Sequence, residues 1–223
     1  MKKFTTIAFT FLLLLSASAS EIEQKELKSI NAAVDLLYQE KFEEAFSIFS
    51  YIQDTYPDHP IGPFFMGYYY NFQASYYETD KFDSKIVLYY DLAEKKADFH
   101  LNFNDEDPWM NFYKGASLIN RGYLLGRDGR RFSALTKTFD GISYIKDCLE
   151  YDKDHGDALL LYGTYSFYKS SIISWIWDSR EDAVSEVKES IEKAYFSKYL
   201  AISTLGWIYI DYEKYDKAEE TAE

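Results

Sequence analysis

The sequence has little cysteine and little proline, and it lacks a long uninterrupted run of apolar residues. Cys148 is the one cysteine among 223 residues, so no disulfide can form within the chain. The four prolines leave long stretches free to form helices. The most apolar segment, residues 4–15, is shorter than the roughly 20 residues that span a bilayer. We therefore expect helices, a buried structural cysteine and no membrane span.

Positive charge is also scarce. The chain has 24 lysines and arginines against 37 aspartates and glutamates, and its formal net charge is -13. Nucleic-acid binding depends on basic patches that neutralise phosphates, and adsorption to anionic lipid needs the same sign of charge. The composition thus argues against a nucleic-acid partner and against adsorption to a membrane surface.

Sequence motifs for catalysis and for metal binding are missing. There is no H-E-x-x-H, no G-x-S-x-G, no Walker loop and no G-x-G-x-x-G. His59, His100 and His155 stand far apart, each in a polar connection between apolar segments, so we expect solvated histidines rather than ligands. We predict no catalytic residue, no metal site and no cofactor, although an enzyme is kept as a third class of function.

The first 19 residues have the form of a secretory signal peptide. Lys2 and Lys3 precede the apolar segment, and Ala17 and Ala19 follow it in an A-x-A arrangement. Cleavage between Ala19 and Ser20 would leave residues 20–223 as an exported domain, periplasmic or extracellular, with no stable membrane insertion. An uncleaved membrane anchor is the alternative.

Helical signals dominate what remains. Apolar residues recur three and four positions apart, and no strand-like alternation of useful length competes. Asp107 followed by Pro108 is typical of a helix start, and the glycines of 126–129 are typical of a helix end. The S-x-x-D segment 179–182 predicts a capping box. These patterns predict an all-α protein.

Small residues recur at a regular interval within these helices. Gly67, Gly115 and Gly163 are 48 residues apart, Gly206 follows 43 residues later, and Ala33 precedes Gly67 by 34. Glycine costs a helix about 1 kcal/mol relative to alanine, so we expect a neighbouring helix to cross close to each of these positions. The interval predicts five helical pairs, the middle ones enlarged, that bury their apolar faces by stacking.

The segment LGWIYIDYEKYDKA, residues 205–218, carries the best-defined copy of this pattern. It resembles the tetratricopeptide repeat (TPR), whose spacing is met by Leu205, Gly206, Tyr209, Tyr215 and Ala218. The first pair fits at Ala32, Ala33, Leu36, Phe42 and Ala45. The resemblance implies an α-solenoid of about five antiparallel helix pairs in an exported bacterial-type TPR protein. Because no polar capping helix follows, we expect the repeat domain to be truncated or uncapped after Glu223.

The resemblance also implies a function. TPR proteins bind peptides or partner proteins in a concave groove lined by the first helix of each pair. We therefore predict a non-catalytic scaffold of the cell envelope with a protein or peptide partner, and an aromatic-rich groove at Tyr69, Tyr70, Tyr165 and Tyr168. The alternative is a carbohydrate- or envelope-polymer-binding protein that uses tyrosines as stacking platforms.

One cationic cluster stands out against the acidic background. Arg121, Arg127, Arg130 and Arg131 fall within eleven residues. They either balance nearby carboxylates or form an anion contact for an acidic peptide or a carboxylated glycan, since arginine binds carboxylates in bidentate fashion. The sequence indicates neither the identity of the partner nor the oligomeric state.

Overall fold

The structure is a computed structural model that describes residues 21–173 and 178–222. The predicted signal peptide, residues 1–19, lies outside the described residues. Helices account for all the regular secondary structure in the described part: α1 (21–38), α2 (Phe42–Thr55), α3 (Ile61–Tyr76), α4 (Asp83–Leu101), α5 (Pro108–Arg127), α6 (Arg131–Tyr151), α7 (Gly156–Ile173), α8 (Arg180–Lys193), α9 (Lys198–Asp211) and α10 (Tyr215–Ala222). The all-α prediction, with five helical pairs, is confirmed. Among the described helices, none is both long and apolar enough to cross a membrane.

The described part of the chain divides after Ser117 into two compact units, which we call the N-terminal and C-terminal units. In the N-terminal unit, α3 and α4 run antiparallel. A methyl group added at Gly67 would lie 3.0 Å from the ring of Tyr90, whose side chain is fully buried. Phe49 of α2 stacks on Phe65 of α3 with 5.6 Å between the ring centroids. The glycine therefore admits an aromatic ring at the crossing of two helices, as the sequence predicts.

The C-terminal unit shows the same antiparallel arrangement between α7 and α8. Gly156 faces the backbone of Lys193, Gly163 faces Val187, and the Ser170 Oγ lies 2.7 Å from the Ser179 Oγ. A methyl group at Gly163 would come within 2.9 Å of the Val187 side chain. Leu160, Phe167, Val187, Leu205 and Ile208 form the centre of the core that joins α7, α8 and α9.

Gly206 departs from the expectation for the small residues. A methyl group added there would meet no atom within 4 Å, so the prediction of a close helix crossing at this position is wrong. α10 reaches the core through Ala218, which is partly buried against it, and it leaves the side of α9 at Gly206 open. Trp207 beside it is 62% exposed.

Four of the turns within helix pairs share one backbone form. Each has a residue with positive φ after the first helix: Glu40, Glu78, Gly129 and Glu213. In the first turn Lys41 N–H donates to the Leu36 carbonyl and Glu40 N–H to the Leu37 carbonyl. The other three turns repeat these two hydrogen bonds, which define a Schellman motif. The turn expected at 126–129 is confirmed.

The starts of the helices agree only in part with the predicted caps. The Asp107 Oδ1 accepts hydrogen bonds from the backbone N–H groups of Trp109 and Met110 at 3.0 and 3.1 Å, so the predicted cap of α5 is confirmed. Ser179 makes no side-chain capping bond to α8. Its hydroxyl pairs with Ser170 instead, and the predicted capping box is therefore wrong.

Candidate binding surface

The aromatic residues proposed for the groove have different environments in the two units. Tyr69 and Tyr70 are buried, with 6% and 7% of their surfaces exposed. Tyr69 packs on Phe46 at 5.4 Å between centroids, and Tyr70 stacks on Tyr89 at 5.6 Å. Burial raises the pKa of the Tyr69 hydroxyl to about 12. Because both rings are covered by neighbouring helices, this placement argues against direct ligand contact by Tyr69 and Tyr70.

The two tyrosines of α7 are more accessible. Tyr168 is 41% exposed, and its hydroxyl donates a hydrogen bond to the Asp211 Oδ2 at 2.8 Å, which ties α7 to α9. Tyr165 is half-buried, and its ring contacts Phe139 of α6 edge-on at 6.3 Å. Tyr165 is thus the candidate that lies beside both an exposed aromatic side chain and open space.

That open space is a cavity of about 310 Å³. We call it the α6–α7 cavity; it is lined by Lys146, Tyr162, Tyr165, Ser166, Lys169, Ser170 and Ser179. The ammonium of Lys146 lies 5.8 Å from the centre of the Tyr162 ring, and that of Lys169 lies 5.8 Å from the centre of the Tyr165 ring. The lining therefore combines two cations, two aromatic rings and three hydroxyls, and it includes no carboxylate.

An exposed line of side chains on α6 leads toward this cavity. Phe132, Leu135 and Phe139 are 85%, 55% and 54% exposed, and Ser143 and Lys146 are exposed as well. Spacings of three and four residues place all five on one face of the helix. We call these five residues the α6 stripe. At 1.5 Å per residue the stripe is about 21 Å long.

A second, neighbouring face of α6 explains why the stripe is left outside. Methyl groups added at Gly122 and Gly126 of α5 would approach Thr138 and Ala134 of α6, and Ile142 and Ile145 are buried. The helix therefore packs into the C-terminal unit through this second face. Isolated exposed apolar side chains are ordinary on protein surfaces, but contiguous ones mark interaction sites.

The four arginines also separate into two kinds. Arg121 is half-buried in α5, and Arg127 lies in the last turn of α5, where a cation interacts favourably with the helix dipole. Arg130 and Arg131 are exposed at the start of α6, and neither makes an ion pair with any residue that the structure describes. Anion contact at all four stays a prediction; the placement favours Arg130 and Arg131.

The histidines are the feature that sequence reasoning placed wrongly. His59 and His155 are buried, with 5% and 0% exposed surface, so the expectation of solvated side chains is wrong for both. The Nδ1 atom of His59 accepts a hydrogen bond from Ile61 N–H at 3.2 Å, and that of His155 accepts one from Ala158 N–H at 3.3 Å. Each imidazole therefore caps the first helix of its pair.

The three capping residues His59, Asp107 and His155 recur at a fixed interval that is visible in the sequence. His59, Asp107 and His155 are 48 residues apart, and each stands eight residues before Gly67, Gly115 or Gly163. A search for polar side chains in phase with the glycines would have found them. A capping Nδ1 must be unprotonated, and burial accordingly lowers the pKa of both histidines to about 3.

His59 also meets a buried acid. Its Nε2 lies 3.3 Å from the Glu23 Oε1, and both side chains are nearly inaccessible. Burial raises the pKa of the Glu23 carboxyl to about 8, and the nearby Asp107 adds to the shift. Since Nδ1 is the acceptor, the imidazole proton is on Nε2, which faces the Glu23 carboxyl without making a hydrogen bond to it. The pair lies inside the N-terminal unit and is closed off from solvent. It therefore serves as a structural contact and not as a catalytic pair.

Asp157 has a comparable structural role in the C-terminal unit. Its carboxylate accepts hydrogen bonds from the N–H groups of Tyr195, Phe196 and Ser197 and from the Ser197 hydroxyl. Burial raises the pKa of this carboxyl, and the four hydrogen bonds oppose that shift. α7 thereby holds the turn between α8 and α9. Across the residues that the structure describes, no group of three or more His, Cys, Asp or Glu could hold a metal ion.

Comparisons with known proteins show the fold. No protein-family model matches the sequence, and no curated protein has a matching sequence. Among solved structures, the chain is similar to TTC0263, a thermophilic TPR protein of Thermus thermophilus, with 12% identity and a TM-score of 0.50 over 88% of this chain and 87% of that one. It also matches YrrB, a TPR protein with an unusual peptide-binding site, with 14% identity and a TM-score of 0.40 over 92% and 88%. The fold of this chain is therefore TPR-like.

Proposed function

We propose that this protein is a non-catalytic scaffold that binds a protein or peptide segment at the α6–α7 cavity. The observation that carries the proposal is the lining of that cavity, where Lys146, Lys169, Tyr162 and Tyr165 converge around about 310 Å³. Tyrosine rings offer apolar contact area with a polar tip, and they lose little side-chain entropy on binding. Stacked helical pairs present such side chains along an extended surface.

We also propose that the partner is in the cell envelope. The support is the signal-like sequence of residues 1–19, which has a charged start, an apolar segment and an A-x-A end. Export would bring the binding surface to periplasmic or extracellular partners.

The test is to bind the full chain to a collection of random peptides of roughly 16 residues, about the length that would cover the α6 stripe. We expect a subset to bind the wild type and to lose affinity at least about tenfold in Tyr165→Ala. Phe103→Ala is the matched control, because this aromatic side chain is 62% exposed and lies in the N-terminal unit. It should leave binding unchanged.

A second cavity makes the experiment selective. Lys28, Ser29, Ala32, Ser47, Ile48 and Tyr51 line a cavity of about 530 Å³ between α1 and α2. If Tyr51→Ala weakened binding and Tyr165→Ala did not, peptides would bind at α1 and α2 and the proposed site would be wrong. A collection from which no peptide binds would contradict the proposed function itself.

A further inference from the structure

We infer that the partner segment is an amphipathic helix with acidic ends, and that it lies along the α6 stripe with its carboxylates on Arg130 and Arg131 at one end and on Lys146 and Lys169 at the other. This inference rests on the proposed function and specifies the chemistry of the partner. Three observations support it: the apolar centre of the stripe, the charge at its two ends and the contact between α6 and α7.

The apolar centre determines the shape of the partner. Phe132, Leu135 and Phe139 are each more than half exposed and follow one another at helical spacing. A second helix presents side chains at the same spacing, so its apolar face can cover all three side chains along the roughly 21 Å of the stripe. An extended peptide rises about 3.3 Å per residue and points alternate side chains away from the stripe.

The charges determine the sign of the partner. Residues 119–139 contain five cationic side chains and one carboxylate, within a chain of formal net charge -13. Arg130 and Arg131 stand at the N-terminal end of α6, whose first turn has no acidic residue. Cations at that end oppose the helix dipole, and a carboxylate from a partner would relieve the opposition while it pairs with the guanidinium groups.

The α6–α7 contact extends the surface to the second charged end. Phe139 touches Tyr165, and the ammonium groups of Lys146 and Lys169 lie over the rings of Tyr162 and Tyr165. The apolar stripe therefore continues into the α6–α7 cavity, whose lining has two cations and no carboxylate. Along its length this surface is cationic, then apolar, then cationic. A helix with an apolar face and acidic residues at both ends is complementary to it.

A second copy of this chain is the competing occupant. Its formal net charge of -13 makes two copies repel each other at low salt. A separate partner segment with a few acidic residues at each end carries less charge than a second copy of the chain. The charge balance thus favours such a segment over self-association.

The experiment uses three labelled synthetic peptides of roughly 16 residues, enough to cover the stripe, and the full chain. The first has leucines at three- and four-residue spacing and glutamates at both ends. The second has lysine in place of each glutamate, and the third has the composition of the first in scrambled order. We expect fluorescence anisotropy to show that the first peptide binds at least about tenfold more tightly than either of the others.

Two sets of variants locate the contact. Replacement of Phe132, Leu135 and Phe139 by alanine should abolish binding of the acidic peptide, and Arg130→Glu with Arg131→Glu should weaken it at least about tenfold, with a smaller effect at high salt. Lys81→Glu with Lys153→Glu is the matched control, because it changes the net charge equally at two exposed positions elsewhere, and we expect it to weaken binding at most about twofold. Because every substituted side chain is exposed, circular dichroism should show unchanged helix content.

Each contrary outcome has a distinct meaning. Equal binding of the acidic and the basic peptide, or of the acidic and the scrambled peptide, would overturn the inference. The proposed function would still stand if random peptides bound in a way that depends on Tyr165. Failure of every peptide would contradict both. Concentration-dependent dimerisation that the triple alanine variant abolishes would assign the stripe to a second copy of the chain and overturn the inference.

Discussion

Buried polar side chains set the chemistry of this protein at the scale of single residues. His59 and His155 each use Nδ1 to accept a backbone hydrogen bond at the start of a helix. That role requires the neutral imidazole, which burial favours by lowering the pKa. Asp107 caps α5 in the same way through its carboxyl oxygen. A carboxyl oxygen can accept a hydrogen bond whether the side chain is buried or exposed. The histidines are therefore neutral caps and are unavailable as metal ligands on the surface.

We predict that Glu23 makes the protein less stable as the pH rises. The pKa of its buried carboxyl is raised from 4.5 to about 8, so between those values the folded chain keeps a proton that the unfolded chain releases. The free energy of unfolding therefore falls as the pH rises from about 5 to about 8. Glu23→Gln cannot ionise, so the variant should gain stability relative to the wild type over this range, by roughly 3 kcal/mol at the upper end.

Urea unfolding of both proteins at several pH values in this range measures that difference. Contributions from titrating groups that do not interact with residue 23 are common to the two chains and cancel. Glu21→Gln, at an exposed position two residues earlier, is the control for the loss of a carboxylate from α1. Parallel profiles for Glu23→Gln and the wild type would show instead that the folded carboxyl ionises at an ordinary pH.

At the scale of helices, the glycines of the repeat differ in what they do. Gly67 and Gly163 stand where a ring or a branched side chain of the next helix would touch a methyl group, whereas Gly206 faces open space. The 48-residue interval is a property of the sequence, but the gap beside each glycine depends on which residue the neighbouring helix brings there. The position of a glycine within the repeat therefore predicts that another helix crosses there, but it does not determine how closely the two helices approach.

We predict opposite effects from the same substitution at two of these glycines. Gly163→Ala should destabilise the protein by roughly 1–3 kcal/mol, because the added methyl group lies within 3.0 Å of the Ala183 carbonyl oxygen, a backbone atom that cannot turn away. Gly206→Ala should stabilise it by roughly 0.5–1 kcal/mol, since the helix gains propensity without a clash. Thermal unfolding of the two variants checks the pair. A loss of stability in Gly206→Ala would mean that α9 is covered there in solution.

The helix starts and turns show how far the sequence could be followed. Asp107 with Pro108 and the glycines of 126–129 act on the backbone within a few residues of themselves, so their positions were predictable from local chemistry. Tyr69, Tyr70 and Asp157 could not be placed in this way. Their environment is made by residues 19 to 40 positions away, such as Tyr89 for Tyr70 and Ser197 for Asp157. The α6 stripe was missed because an exposed and a buried helical face have the same apolar spacing.

At the scale of the whole chain, net charge opposes a few favourable ion pairs. The excess of 13 negative charges repels itself in the folded state more than in the expanded unfolded state. Exposed pairs such as Lys193 with Asp154 and Lys214 with Glu181 each contribute little to stability, because solvent screens the attraction. Salt weakens both terms, so the sign of the salt effect reports which one is larger.

We predict that the repulsion is larger and that added salt stabilises the protein. The melting temperature should rise when NaCl increases from about 20 mM to about 500 mM, over which the screening length shrinks from roughly 20 Å to roughly 4 Å. Lys81→Glu with Lys153→Glu makes the net charge four units more negative at exposed positions, so this variant should melt lower than the wild type at low salt and approach it at high salt. A melting temperature that falls with NaCl in both proteins would mean that local ion pairs, rather than the overall negative charge, dominate the electrostatic part of the stability.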